Sequence, residues 1–69
     1  MITETKVNAQ VGDYVAVTVE ATRETGGCSL GVRMVGAGPD GFLSFHQNLD
    51  DCLRRIKIYR AADARRARQ

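Results

Sequence analysis

The chain has 69 residues, with ten basic and eight acidic side chains and a formal net charge of +2 at pH 7. A chain of this length forms one domain with a thin hydrophobic core, and such small folds are often completed by oligomerisation. No apolar run approaches the about 20 residues of a membrane span, and the first residues lack the pattern of a secretory signal. We therefore expect a cytoplasmic homodimer that does not bind membranes.

The two cysteines and the single histidine predict neither a disulfide framework nor a metal site. Cys28, His46 and Cys52 are scattered along the chain, and no pair of them has the short spacing of a zinc-binding motif. We expect no cofactor and no metal, and we interpret the two thiols as small buried apolar groups.

Charge is divided unevenly along the chain. Residues 1–51 contain three basic and seven acidic side chains, a net charge of −4, whereas residues 52–69 contain seven basic and one acidic, a net charge of +6. A basic end on an acidic body indicates a polyanionic partner. The alternative is an Arg-rich tail that only adds solubility.

The first half of the chain predicts an antiparallel β-meander. Residues 2–7 can form an edge strand, and residues 11–24 (VGDYVAVTVEATRE) alternate in a way that is typical of a half-buried strand. The Gly26-Gly27 pair indicates a tight hairpin. Residues 28–34 form the returning strand, and we expect its apolar face to match that of the first strand.

Glycines shape the next part of the chain. Gly31 removes a side chain from the returning strand, which leaves room for a bulge or for close approach of other backbone. Residues 36–41 (GAGPDG) formally match GxGxxG, but a strand follows rather than a helix, so we interpret them as a turn and not as a dinucleotide loop. Residues 42–45 (FLSF) predict a further strand.

Helical signals begin at Asn48, which is a good N-cap and is followed by two aspartates in the first turn. The apolar positions at helical spacing are Leu49, Cys52, Leu53, Ile56 and Tyr59. We expect these five to form a stripe on one helix. Polar and apolar residues also alternate over residues 55–59, which leaves a rival interpretation open. In this rival, a short helix at 48–54 is followed by a last strand at 55–60.

Together these elements predict a mainly β fold, a small antiparallel meander of four to five strands with one C-terminal helix. The rival corresponds to an SH3-like small barrel with a short helix and a last strand. We expect residues 1–60 to form a single small β-rich domain and residues 61–69 to form a basic C-terminal tail.

The order of motifs resembles that of the carbon storage regulator family, which are small dimeric RNA-binding repressors of bacterial translation. The shared features are a Gly-Asp turn before VAVTV, a Gly-Val pair in SLGVRM, a turn with proline, a strand ending in histidine (LSFH) and paired acids opening a helix (DDCLRRI). The resemblance covers residues 1 to about 58. It implies an intertwined dimer, with two RNA sites where the first strand of one chain meets the last strand of the other.

Carried over to this chain, the resemblance implies RNA contacts at Thr5 and Lys6 and at residues 43–46. Gln47 stands where the family has an arginine directly after the histidine. The basic side chains that follow residue 53 add candidate phosphate contacts. The candidate nucleic-acid-binding residues are Thr5, Lys6, Leu43, Ser44, His46, Gln47, Arg54, Arg55, Lys57 and Arg60.

Each of these signals also has a purely structural interpretation. His46 can be a hydrogen-bonded structural histidine, Phe42 and Phe45 can be core residues, and the basic side chains can form a solvated helix face. No side chain has an evident catalytic partner, and a β-module of this size has little room for a ligand cavity of about 300 Å³ or more. We therefore expect neither an enzyme nor a small-molecule substrate.

Two classes of function follow from the sequence. The first is a small dimeric nucleic-acid-binding regulator that acts post-transcriptionally, with RNA favoured as the partner. The second is a protein-interaction module of phage or plasmid type, which inhibits a host protein by docking a sheet edge or the helix. Nucleic-acid binding weakens steeply with salt, whereas a protein interface with an apolar centre does not.

Overall fold

An antiparallel sheet followed by one long helix makes up residues 2–68, which are the residues that the computed structural model describes. The elements are β1 (Glu4–Val11), β2 (Tyr14–Val19), β3 (Leu30–Met34), β4 (Phe42–His46) and α1 (Leu49–Ala67). A 3₁₀ turn, Pro39–Gly41, leads into β4. The predicted fold class, a small β-meander with a C-terminal helix, is confirmed.

The strands follow the order β1-β2-β3-β4, and each is antiparallel to its neighbours. β1 and β4 are therefore the two edges of the sheet, and within the described part of the chain each of them pairs on one side. Unpaired strand edges present free backbone donors and acceptors to a partner. Pairing of residues 2–7 with residues 42–46 of a second chain stays a prediction.

Helix α1 begins where the sequence predicts. The Asn48 side chain accepts a hydrogen bond of 2.9 Å from the Asp51 amide, which satisfies one of the free amides of the first turn. The helix continues without interruption to Ala67, so the rival with a strand at 55–60 is wrong. The domain boundary predicted at residue 60 falls inside this helix. Alanine and arginine, which are strong helix formers, make up most of its second half.

The stripe that α1 turns toward the sheet differs from the predicted one. Cys52 and Ile56 are buried, but Leu49 and Leu53 are 38% and 36% exposed. The prediction of a five-residue core stripe is therefore wrong for the two leucines. The helix is rotated so that Tyr59 packs against the sheet. Its ring stacks on a tyrosine of β2, with the ring centroids 5.5 Å apart.

A hydrophobic cluster lies on each face of the sheet. The cluster between α1 and the sheet contains the buried residues Tyr14, Ala16, Val32, Cys52 and Ile56. On the opposite face, Phe42 and Phe45 pack against the valines Val15, Val17 and Val19. β2 is consequently buried on both sides, and the prediction of a half-buried strand is wrong. Ala16, which lies on the face of β2 opposite the three valines, belongs to the cluster under the helix.

The register of β2 and β3 places Gly31 opposite Val17. Leu30 and Val32 therefore lie on the helix side of the sheet, away from the valines of β2. The prediction that the apolar faces of the two strands match is wrong for this reason. The connection between the strands, residues 20–29, is also longer than the predicted tight hairpin.

Gly31 makes room for the two phenylalanine rings. The rings of Phe42 and Phe45 stack with centroids 5.3 Å apart. A Cβ atom added at Gly31 would lie 2.7 Å from two ring atoms of Phe42 and 3.2 Å from one of Phe45. The space that the sequence predicts at this glycine is thus filled by aromatic side chains rather than by backbone.

An ion pair crosses the face that carries the phenylalanines. The Arg33 guanidinium donates two hydrogen bonds of 2.8 Å to the Glu4 carboxylate and so joins β3 to β1 across β2. These hydrogen bonds lower the pKa of Glu4, although partial burial acts in the opposite direction. The pair ties together two strands that are not neighbours in the sheet.

We expect Gly31→Ala to lower the free energy of unfolding by about 1–3 kcal/mol, because both rings must shift to admit the methyl group. Urea denaturation measures this change. Gly38→Ala is the matched control, since Gly38 has an ordinary φ of −84° and an added Cβ there has no atom within 4 Å. We expect the control to change stability by less than about 0.5 kcal/mol. Equal losses in the two variants would contradict this explanation.

Candidate functional site

A two-residue connection brings the end of β4 beside the first turns of α1. β4 ends at His46 and the helix begins at Leu49, so the strand and the helix meet at a sharp corner. A cleft of about 280 Å³ lies at this corner. The residues that line it are His46, Asp51, Arg54, Arg55 and Ile58.

His46 is held at the corner by its neighbours. It pairs with Leu30 of β3, and its Nε2 lies 2.8 Å from the Ser44 hydroxyl. Partial burial lowers the pKa of His46, and the positive charge of Arg55 lowers it further, while the Asp51 carboxylate acts in the opposite direction. The neutral imidazole, with one ring nitrogen that donates and one that accepts, is therefore the main form at pH 7.

The cleft has a positive balance of charge. Arg54 and Arg55 contribute two guanidinium groups and Asp51 contributes one carboxylate, while His46 is neutral. The Asp51 carboxylate also accepts a hydrogen bond of 3.2 Å from the Asn48 side chain. The arrangement is suited to an anion, because guanidinium groups donate several hydrogen bonds in a fixed plane.

The structure brings together four of the residues that the sequence predicts for the site: Ser44, His46, Arg54 and Arg55. Sequence reasoning missed two lining residues, Asp51 and Ile58. Asp51 was explained by the helix dipole alone. The position of Ile58 off the predicted apolar stripe was the available signal, since a large apolar side chain away from the core marks another surface.

Two further predicted residues lie close to the cleft in sequence but do not line it. Gln47 is exposed in the connection to the helix. Leu43 is 47% exposed on the edge strand. It lies where the register between β3 and β4 shifts by one residue. This irregularity places an apolar side chain at the open edge of the sheet.

The predicted residues of the first strand lie at the other edge of the sheet. Thr5 donates a hydrogen bond of 3.2 Å from its hydroxyl to the Thr18 carbonyl, and Lys6 is exposed beside it. β1 and β4 are separated by β2 and β3. Within one chain, Thr5 and Lys6 therefore lie at the opposite edge of the sheet from Ser44 and His46.

Lys57 and Arg60 do not line the cleft. Lys57 is three positions beyond Arg54, so the two side chains leave the helix about 60° apart, with Lys57 on the side farther from Arg55. The Arg60 side chain lies against the β1–β2 turn, with its Nε 3.0 Å from the position that a Cβ on Gly12 would take. Arg54 and Arg55 are thus the pair at the cleft, whereas Lys57 lies beside Arg54 outside it and Arg60 lies at the β1–β2 turn.

Contacts with β2 anchor the second half of the helix. The Tyr14 ring stacks on Tyr59, and its hydroxyl donates a hydrogen bond to the Asp63 carboxylate. Asp63 also pairs with Arg66 one turn further along. The single acidic residue in the basic segment therefore holds the helix to the sheet. The exposed cations that this helix and its C-cap carry are Arg54, Arg55, Lys57, Arg60, Arg65, Arg66 and Arg68.

No family model, no curated protein and no solved structure matches the chain. The resemblance to the carbon storage regulator family accordingly stays a prediction. Residues 2–68 contain no group of three or more side chains that could hold a metal ion. Over the same residues, no helix is both long enough and apolar enough to span a membrane.

We expect Tyr14→Phe to loosen the second half of α1, because the Asp63 carboxylate loses its hydrogen-bond donor on the sheet. Stability should fall by about 1 kcal/mol, and amide hydrogen exchange should accelerate over residues 60–67. Tyr59→Phe is the matched control, since among the described residues the Tyr59 hydroxyl makes no side-chain hydrogen bond and its ring stack is retained. Similar exchange in both variants would show that the Tyr14 hydroxyl does not anchor the helix.

Proposed function

We propose that the protein is a small dimeric nucleic-acid-binding regulator that acts post-transcriptionally as a repressor of translation, with RNA as its preferred partner. One observation carries the proposal. Seven exposed cations are displayed along a single continuous helix and its C-cap, and that helix is anchored to a sheet. A basic surface of this kind is the electrostatic footprint of a protein that contacts phosphates.

The anchoring of the helix favours binding. Side chains on an ordered helix lose less conformational entropy on contact than those of an unstructured tail, which must be ordered at the same time. Tyr14 and Asp63 extend this order into the segment that the sequence predicts as a tail. The helix thus holds its cations at fixed spacing before any partner arrives.

The cleft supports a localised contact within this basic surface. Arg54 and Arg55 flank it, and His46 and Ile58 provide a ring and an apolar side chain beside the two cations. Nucleic-acid sites combine these elements, since cations meet the phosphates while rings and apolar groups meet sugars and bases. RNA is preferred over DNA because the resemblance to translational repressors implies it.

The two sheet edges and the thin core support a dimer. The buried apolar residues described in the chain are few, and exposed apolar side chains occur near both edges, at Val7 and at Leu43. A second copy that pairs with these edges would bury both the free backbone groups and these side chains. The same edges favour the second class of function, a module that inhibits a host protein by strand pairing.

Nucleic-acid binding can be tested by changing two cations at a time. We expect Arg54→Ala with Arg55→Ala to flatten the dependence of log affinity on log salt by about 1.4, which is the effect of two phosphate contacts with a single strand. The control, Arg65→Ala with Arg68→Ala, removes the same charge from the same helix away from the cleft and should have a smaller effect. Filter binding at several salt concentrations measures both.

Two outcomes would contradict the proposal. If neither a random RNA pool nor duplex DNA binds below about 100 μM at low salt, the protein is not a nucleic-acid-binding protein, because electrostatic binding is strongest there. Equal changes of slope in the two double variants would show that the cleft makes no particular contact. In the first case the protein-interaction module is the remaining class.

We expect a dimer mass in light scattering at tens of micromolar. Leu43→Lys should shift the protein toward monomer, because a charge at the open edge of β4 opposes pairing with another strand. Leu49→Lys is the matched control, since that leucine is also exposed but lies on the helix. A monomer mass for the unmodified chain would refute the dimer.

A further inference from the structure

The cleft at the β4–α1 corner has the size and chemistry of a site for one phosphate group. Its volume of about 280 Å³ corresponds to about nine water molecules of liquid, which is room for a tetrahedral anion with part of its hydration shell. Arg54 and Arg55 are neighbours in sequence, so their side chains leave the helix about 100° apart and can approach an anion from two directions. Their planar guanidinium groups match phosphate oxygens.

We propose that the cleft binds one phosphate group and that His46 takes up a proton when the phosphate enters. This inference rests on the proposed function, because it names the chemical group of the nucleic acid that the site holds. It also adds a form of regulation, since binding that takes up a proton depends on pH.

The environment of His46 explains the coupling. In the free protein, burial and the charge of Arg55 both disfavour the imidazolium and lower the pKa of His46. A phosphate in the cleft brings negative charge beside the ring, which favours the imidazolium and raises the pKa. Affinity therefore increases as pH falls from above the bound pKa to below the free pKa, and it is constant outside that window.

The neighbours of His46 come from α1, β4 and β3. From α1, the charge of Arg55 opposes the imidazolium and that of Asp51 favours it, and Arg54 is a further cation that lines the cleft. From β4 and β3, the neighbours are the neutral Ser44 hydroxyl and an apolar leucine. Histidine is the side-chain type among these that changes its charge between about pH 5 and 8. With the 5′-hydroxyl oligonucleotide, whose phosphodiesters keep their charge, a pH effect in this window therefore reports on His46, whereas a terminal phosphate with a second pKa of about 6 titrates in the same window.

The chain contains one histidine, so its imidazole signals in a proton NMR spectrum belong to His46 without further assignment. The pKa of His46 is measured in the full chain alone, with a 5′-hydroxyl RNA oligonucleotide of about ten nucleotides, with the same oligonucleotide carrying a 5′-phosphate, and with sulfate. We expect the bound oligonucleotide to raise the pKa. Each pKa unit of that rise corresponds to a tenfold gain in affinity between a pH above the bound pKa and a pH below the free pKa.

Two variants separate the cleft from the rest of the basic surface. His46→Gln should retain binding at pH 8 and lose the gain at low pH. In the double variant Arg54→Ala with Arg55→Ala, oligonucleotide should no longer move the His46 signals, whereas Arg65→Ala with Arg68→Ala should leave their movement intact. A rise with the 5′-hydroxyl oligonucleotide identifies an internal phosphodiester as the bound group, and a rise with the 5′-phosphate form alone identifies a terminal phosphate.

The outcomes distinguish this inference from the proposed function. If oligonucleotides bind and the pKa of His46 does not change, the phosphate site is refuted and nucleic-acid binding stands. If no oligonucleotide binds, the proposed function fails, and sulfate decides the cleft alone. A raised pKa with sulfate then supports an anion site, and an unchanged pKa refutes it.

Discussion

The structure depends on one constraint, which is that a sheet of four short strands must bury both of its faces although the described chain supplies a single helix. Helix α1 covers one face. The other is covered by the stacked rings of Phe42 and Phe45, which reach the valines of β2 because Gly31 carries no side chain. Without this aromatic cover, the three valines would lie in water and the central strand would lose half of its buried surface.

The same arrangement determines where the basic helix lies. The phenylalanines come from β4, which pairs with β3, and the last residue of β4 lies at the corner where α1 begins. The Ser44 hydroxyl contacts His46 there, and the first two arginines of the helix, Arg54 and Arg55, line the same cleft. The packing of the sheet and the chemistry of the cleft are therefore two consequences of the position of one edge strand.

Local sequence signals were sufficient to predict the strands and the helix. They were insufficient to predict which face of each element is buried. The alternation around Val17 predicted a strand, and the Asn48 cap predicted the start of the helix, because both depend on neighbours in sequence. Gly31 could be recognised as an open position, but its contact with two aromatic rings could not be predicted, because it depends on the register with which β4 pairs with β3. Asp51 and Ile58 were not predicted as lining residues of the cleft for a similar reason. The rotation of α1 depends on tertiary contacts such as the one between Tyr14 and Asp63.

The buried cysteine on the sheet-facing side of α1 makes the docking of that helix chemically observable. Cys52 has no solvent exposure, and burial raises the pKa of its thiol, so little of the reactive thiolate is present in the folded state. An alkylating reagent reaches Cys52 when α1 lifts from the sheet, whereas the half-buried Cys28 provides an internal reference in the loop between β2 and β3. The ratio of the two labelling rates thus measures how often the helix separates from the strands beneath it.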